Sequence, residues 1–219
     1  MSNKQIKSKK RVVEHGEVFT SDREVNAMLD LMKQETDRID SRFLEPACGD
    51  GNFLAEILRR KLKMVKERYQ RSPSEYEKYA VVAVTSIYGV DLLQDNVNEC
   101  RERLFGIFDK EYTAICKKEA NESCRETVRF LLKRNILCGD ALTLKAADGE
   151  PIIFSEWSLI TGAMMKRRDF RLDELMGDPT DLISIYDSNM VYDDETNAFI
   201  PTPIQEFPLI HYRRLQENE

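Results

Sequence analysis

Apolar and polar positions alternate with helical spacing near the start of the chain. Apolar residues recur at intervals of three and four from Val25 to Met32, which predicts an amphipathic helix that reaches about Thr36. Ser21 and Glu24 have the spacing of a capping box, so we expect the helix to begin at this point.

Short apolar runs that end at an acidic residue follow this helix and predict three β-strands. The second of them is preceded by another apolar run, Ala80 to Val84, which is the weaker strand candidate. Helical patterns from about Asn52 and from Asp95 to Phe108 separate the strands. This alternation predicts an α/β fold, in which a parallel sheet is joined by crossover helices. The predicted strands are Arg42–Glu45, Ser86–Asp91 and Asn135–Asp140.

The last third of the chain has weaker patterns. Ile152 to Phe154 is a candidate fourth strand, but beyond Asp173 prolines and acidic clusters replace the periodicity. We therefore predict a basic N-terminal segment (1–15), a binding domain (16–157) and an acidic, partly extended C-terminal tail (158–219). An acidic tail repels phosphate, so the chain alone is a poor candidate for a DNA clamp.

Composition narrows the class of protein. The 219 residues are 42% hydrophobic and carry a net charge of −6. No apolar run is long enough to span a membrane, and no apolar segment follows the basic start, so a cytoplasmic location is expected. The five cysteines form no Cys-x-x-Cys pair, which favours reduced thiols and no metal site.

The turn between the first strand and the next helix carries the most chemical information. Gly49 and Gly51 allow a tight bend and a close approach of the backbone to a ligand. The helix that follows offers free N–H groups at its start, so a ligand is expected above the carboxyl edge of the sheet. Leu54 stands where a dinucleotide fingerprint needs its third glycine, and the loop lacks the Gly-Lys of a P-loop. Taken alone, the glycines could instead serve only the geometry of the turn.

Two further acidic residues support a nucleoside ligand at this edge. Asp91 closes the second strand, where a carboxylate can accept hydrogen bonds from ribose hydroxyls. Asp140 closes the third strand, where a carboxylate can accept from an adenine amino group. Each of them alone is more typical of a strand-end turn, but both follow the same glycine loop.

These segments resemble the cofactor-binding region of bacterial DNA adenine-N6 methyltransferases of restriction-modification type. Phe43–Leu54 matches the family's first motif, Ile87–Asp91 its second and Asn135–Leu142 its third. His15–Thr20, with the helix after it, resembles the extra motif before the glycine loop, although Ser21 stands where proline is usual. The resemblance covers about residues 16 to 144.

The resemblance implies S-adenosylmethionine (SAM) as cofactor and a SAM-dependent methyltransferase (Rossmann-like) fold. The sheet of this fold can be incomplete in this chain. The methionine carboxylate would lie near Thr20 and the glycine loop, the ribose at Asp91 and the adenine at Asp140. The expected cofactor-binding residues are Phe19, Thr20, Glu45, Pro46, Ala47, Cys48, Gly49, Asp50, Gly51, Phe53, Asp91, Leu92, Asp140 and Ala141.

The family's catalytic tetrapeptide, Asn or Asp-Pro-Pro-Tyr or Phe, does not occur in this sequence. The candidate fourth strand runs into Ser155–Ser158 instead, where Trp157 could stack on a base but is more typical of a core. We expect the basic cluster Lys166–Arg168 to be a solvated surface patch. Catalytic residues therefore stay unassigned.

Three functions remain open at this point. The chain could be the SAM-binding subunit of a split DNA adenine-N6 methyltransferase in a restriction-modification or defence system, with a partner chain that supplies catalysis and DNA recognition. It could be a non-catalytic SAM-binding sensor or structural subunit. It could also be a small methyltransferase that acts on a non-DNA substrate.

Overall fold

The computed structural model describes residues 6–15, 17–176, 190–193 and 198–218. The α-helices are α1 (Lys9–His15), α2 (Asp22–Leu31), α3 (Lys33–Thr36), α4 (Asn52–Tyr69), α5 (Pro73–Thr85), α6 (Gln94–Cys116), α7 (Glu122–Asn135) and α8 (Leu172–Met176). The strands are β1 (Phe43–Glu45), β2 (Ile87–Asp91), β3 (Ile136–Asp140), β4 (Lys145–Ala146), β5 (Ile153–Thr161), β6 (Met164–Arg171), β7 (Met190–Asp193), β8 (Ala198–Pro201), β9 (Gln205–Glu206) and β10 (Ile210–His211). Two 3-10 helices span Lys117–Glu119 and Tyr212–Glu217.

The three predicted strands form the parallel part of one sheet in the order β1-β2-β3. Phe43 pairs with Ile87 and Gly89 with Ile136, so the acidic ends of the strands lie at the same edge. The short β4 closes the far side of the sheet, antiparallel to β3. The mixed α/β architecture with a parallel sheet is therefore confirmed.

Four long helices, α4 to α7, form one packed layer, in which α4, α6 and α7 contact the parallel sheet and α5 contacts β5. The run Ala80–Val84 lies within α5 and is buried there, which explains why it is apolar without being a strand. The predicted capping box of Ser21 and Glu24 begins α2. The helix expected to reach Thr36 is interrupted at Met32, where α3 begins a separate turn. No helix in the described residues is long and apolar enough to cross a membrane.

The candidate fourth strand is not part of the parallel sheet. Ile153 and Phe154 instead begin β5, which pairs antiparallel with β6 in a separate hairpin. Tyr88 on β2 donates to the carbonyl of Ser155 over 2.9 Å, and Trp157 donates to Asn135 Oδ1 over 2.9 Å. Trp157 is thus a core residue that attaches the hairpin to the helical layer, as expected from the usual role of a single tryptophan.

Sequence patterns underestimated how much of the last third is packed. The expected boundary after residue 157 falls inside β5, and β9 and β10 extend the hairpin along β6. The expected tail therefore contains regular structure, while its residues 177–189 and 194–197 lie outside the described residues. The expectation of a solvated cluster at Lys166–Arg168 is wrong for Arg167. This residue is 3% exposed and pairs with Asp169, because alternate side chains of β6 point inward.

A buried carboxylate attaches the end of the chain to the helices. Glu77 on α5 is 1% exposed and accepts from the hydroxyls of Tyr112, over 2.5 Å, and Tyr212, over 2.7 Å. Arg213 also donates to it, so the final 3-10 helix is held against the core by a charged group. Burial without these partners would disfavour the carboxylate strongly.

Candidate functional site

A cavity of about 610 Å³ lies at the carboxyl edge of the parallel sheet, within the size range of small-molecule sites. The ends of β1, β2 and β3 and the segment before α2 contribute its walls. Its lining residues are Glu17, Val18, Phe19, Thr20, Pro46, Ala47, Cys48, Gly49, Asn52, Phe53, Asp91, Leu92, Leu93, Asn96, Gly139, Asp140, Ala141, Leu142 and Met176.

Most of the expected cofactor residues thus surround one cavity, and three do not line it. Gly51 faces α6 instead, since a Cβ there would stand 2.6 Å from Cys100 Sγ. The Asp50 carboxylate pairs with Arg103 over 2.6 Å and points away from the cavity wall. Glu45 is partly buried at the end of β1, and its burial raises the pKa of its carboxyl group.

The glycine loop requires glycine at both positions for reasons of backbone geometry. Gly49 and Gly51 have φ values of +53° and +89°, in the left-handed region that other residues rarely adopt. A Cβ at Gly49 would lie 2.9 Å from Cε1 of Phe19, which is itself buried. The loop therefore packs tightly against the segment before α2 and leaves its backbone facing the cavity.

Asp91 connects the second strand to this loop. Its Oδ2 accepts from the backbone N–H of Gly49 over 2.9 Å, and its Oδ1 accepts from the N–H of Leu93 over 2.9 Å. Asn96 Nδ2 donates to the same Oδ1 over 3.1 Å. A carboxylate has about four acceptor sites, so Asp91 can accept one further hydrogen bond from a ligand.

A polar network that sequence patterns did not reveal surrounds Asn96 at the cavity wall. Asn96 is 1% exposed and donates to Glu17 Oε1 over 2.7 Å. Arg11 on α1 donates to the same oxygen over 2.8 Å and pairs with Asp95 over 2.5 Å. The hydrogen bond from Arg11 lowers the pKa of Asp95. The basic N-terminal segment is therefore attached to the start of α6, directly behind Asp91.

Asp140 stands at the end of β3 and is only partly buried. Its Oδ1 accepts from the backbone N–H of Leu142 over 2.9 Å, and this bond lowers the pKa of the Asp140 carboxyl group. The carboxylate is thus ionised at neutral pH and can accept from a ligand amino group. Leu142 beside it is 95% exposed, so this rim offers apolar surface next to the acceptor.

The cavity suits an elongated ligand with both aromatic and polar parts. Phe19, Phe53 and Leu92 supply apolar walls, whereas Asp91 and Asp140 supply acceptors at two separate strand ends. The first N–H groups of α4 have no intrahelical acceptors and favour an anionic group beside the glycine loop. A carboxylate, a ribose and an adenine, as in SAM, fit this order of groups.

The parallel sheet, glycine loop and acidic strand ends are compatible with a Rossmann-like methyltransferase fold, and a distant sequence match suggests a methyltransferase-like region. DNA methyltransferase A of Bacillus subtilis (strain 168) is 26% identical to the chain over 125 residues. The match covers 55% of this chain and 14% of that protein, so the chain corresponds to a small part of its relative. No model of a protein family and no solved structure matches the chain.

Proposed function

We propose that the chain binds SAM in the cavity at the carboxyl edge of its parallel sheet. The observation that carries the proposal is the meeting of the Gly49 loop, Asp91 and Asp140 at one cavity. In this role Asp91 accepts from one ribose hydroxyl and Asp140 accepts from the adenine amino group. Phe19, Thr20 and the start of α4 then face the methionine end.

We further propose that the reaction served is methyl transfer from SAM to adenine N6 in DNA, within a restriction-modification or defence system. The similarity to a DNA methyltransferase supports DNA as the substrate, and the choice of adenine N6 rests on the motifs that resemble those of adenine-N6 methyltransferases. SAM supplies the methyl group when bound. The chain's own residues hold and orient it.

A second protein chain completes the enzyme on this proposal. Transfer to an exocyclic amine needs acceptors that take its hydrogens and an extruded base held between apolar surfaces. The tetrapeptide that provides these groups in similar enzymes is absent from the sequence. Ser155–Ser158, which stand in its place after the candidate fourth strand Ile152–Phe154, lie within β5 of the hairpin and do not line the cavity.

A calorimetric titration of the chain with SAM tests the first part of the proposal. We expect saturable binding that Asp91→Ala weakens and that Asp148→Ala leaves unchanged. Asp148 is a suitable control because it also accepts a backbone N–H in a turn, from Glu150, but lies outside the cavity. The absence of SAM binding by the folded chain would contradict the proposal.

Tritiated methyl transfer into mixed bacterial DNA tests the second part. The purified chain is expected to give no N6-methyladenine by itself and to give it when co-expressed with the product of a neighbouring gene that carries Asn-Pro-Pro-Tyr. Robust methylation by the single chain would refute the need for a partner. Tight SAM binding without transfer under either condition would instead favour a sensor or structural role.

A further inference from the structure

Strand β1 is the edge of the parallel sheet among the described residues. The N–H of Phe43 bonds to the carbonyl of Ser86, so Phe43 and Glu45 direct their backbone polar groups toward β2. Leu44 between them directs its N–H and C=O to the opposite side, because these groups alternate along a strand. Leu44 is 40% exposed, and no strand of the described residues pairs with this side of β1, so the edge can accept another strand.

A groove of about 430 Å³ runs beside this edge. Phe43 and Leu44 form one wall, and Phe154 and Phe170 of the hairpin contribute to the other. Met176 at the end of α8 also lines the groove and is 62% exposed. The groove is therefore an apolar slot next to unpaired backbone groups, which is the combination that a β-strand needs to bind.

The two ends of the groove differ in chemistry. At the end where β1 begins, Glu156 accepts from Arg42 over 2.5 Å and from Arg168 over 2.8 Å. The two cations outnumber this single acid, and the Arg42 side chain remains 54% exposed. At the other end, β1 leads into Pro46, which lines the proposed SAM cavity, and Met176 lines both spaces.

The difference between the basic end and the cavity end of the groove determines the direction of an added strand. A strand parallel to β1 enters beside Arg42 and ends at the cavity, so the loop after it lies next to the glycine loop. An antiparallel strand would place that loop at the far end. Two copies of β1 related by a two-fold axis pair antiparallel, so a second copy of this chain does not fit the requirement.

We propose that the edge of β1 binds a β-strand of the partner chain, in parallel. The inference rests on the proposed function, because it assigns the missing catalytic loop to the end of this strand. The strand that fits has an acidic residue at its start, opposite Arg42, and apolar residues along the groove. The loop that follows it carries the carbonyl acceptors for the target amine.

The probe for this proposal is a synthetic peptide, acetyl-Asp-Ile-Val-Ile-Val-Asn-Pro-Pro-Tyr-amide, titrated into the ¹⁵N-labelled chain and followed by NMR. We expect the Leu44 amide to exchange rapidly in the free chain and to shift and become protected as the peptide binds. Two further peptides carry N-methyl groups on alternate amides of the apolar stretch, one on the Ile pair and one on the Val pair. Only the pair that faces β1 should abolish binding.

Leu44→Pro makes the corresponding change in the protein, where it removes one backbone N–H at the edge of β1. Proline removes the outward N–H while the bonds of Phe43 and Glu45 to β2 persist, and edge strands tolerate it at such positions. We expect this variant to remain folded, to bind SAM as the parent chain does, and to lose at least tenfold in affinity for the peptide. Leu44→Val keeps the N–H and should retain the affinity.

Three results would overturn the proposal. The first is a failure to bind in the expected way: the Leu44 amide does not shift at peptide concentrations up to about 1 mM, or both N-methylated peptides lose the same affinity. The second is slow exchange of the Leu44 amide in the free chain, which would mean that the chain covers its own edge. The third is a dimer of this chain, seen by sedimentation, that Leu44→Pro dissociates. SAM binding is measured separately by calorimetry, so failure of the cofactor site and failure of the strand site are distinguished.

Discussion

Replacement of Asp91 by alanine is the sharpest perturbation of the proposed SAM site. The carboxylate accepts from Gly49, Leu93 and Asn96, so its removal affects the loop as well as a ligand. Hydrogen bonds to a charged group contribute about 1.5–3 kcal/mol each. Loss of the ribose contact alone therefore weakens SAM binding by about 10- to 100-fold, at roughly 1.4 kcal/mol for each factor of ten.

The protein itself should also become less stable. Asn96 is buried, whereas Gly49 and Leu93 are half-buried, where water can partly replace the lost acceptor. An unsatisfied buried donor costs about 1–3 kcal/mol, so we expect a loss of roughly 2–4 kcal/mol in the free energy of unfolding, measured in urea. Asp91→Asn keeps one oxygen acceptor and should lie between the two proteins in both measurements.

A ligand lacking the ribose hydroxyls separates the two roles of Asp91. Calorimetry compares S-adenosylhomocysteine with its 2′,3′-dideoxy analogue, each bound to the parent chain and to Asp91→Ala. If Asp91 accepts from one of the hydroxyls, the variant's loss of affinity should be large for the first ligand and small for the second. Equal losses would mean that Asp91 acts only through the loop. Unchanged affinity in a folded variant would remove Asp91 from the site altogether.

Four further changes test the glycine loop, helix α6, the core and the end of the chain. Gly49→Ala should cost about 1–2 kcal/mol of stability in urea, because its φ is +53°, and should weaken SAM binding. Gly106→Ala, where a Cβ meets open space within α6, should instead stabilise the protein by roughly 0.5–1 kcal/mol. Burial lowers the pKa of Lys61 from 10.5 to about 7, so between these values the unfolded chain binds more protons than the folded one. The unfolding free energy should then rise with pH across this window, by at most about 1.4 kcal/mol per pH unit, and Lys61→Met should remove that rise. Glu77→Ala should lower the unfolding free energy by about 3–5 kcal/mol, because it leaves Arg213 and two tyrosine hydroxyls without their acceptor. A loss below 1 kcal/mol would show that the end of the chain is not held by this carboxylate.

The parallel sheet could be predicted because its determinants are local. Each strand is a short apolar run that stops at an acidic residue, and the glycines of the first turn mark where the next helix begins. The same locality explains why Asp91 and Asp140 could be predicted to share one site, whereas Phe19 was expected there only through the family resemblance. Parallel strands bring their carboxyl ends to one edge of the sheet whatever the intervening sequence.

The hairpin and the end of the chain depend on contacts between distant residues. Arg167 looks like part of a surface cluster until Asp169 and Ser155 are seen to bind its guanidinium inside the hairpin. Tyr212 contacts Glu77, which lies 135 positions earlier. No local pattern in the sequence identifies such partners, and for this reason the sequence alone predicts that the cluster Lys166–Arg168 is solvated.

The missed part of the site has the same origin. Asn96 lies five positions after Asp91, and its spacing alone does not distinguish it from any polar residue in the first turn of α6. Its role becomes visible only because Glu17 and Arg11 reach it from the other end of the domain. A buried amide with a carboxylate on either side is a signal that only the folded chain provides.

The distribution of charge bears on how the proposed enzyme divides its tasks. Glu17, Asp91 and Asp140 line the SAM cavity, and the whole chain carries a net charge of −6. These carboxylates suit the ribose and amino groups of a cofactor but repel the phosphates of DNA. A partner that brings a target base to this edge therefore needs lysines and arginines as well as the catalytic loop. On this reasoning the affinity of the assembled complex for DNA should fall steeply with salt. SAM binding by the chain alone should change little with salt, because it depends on short-range hydrogen bonds.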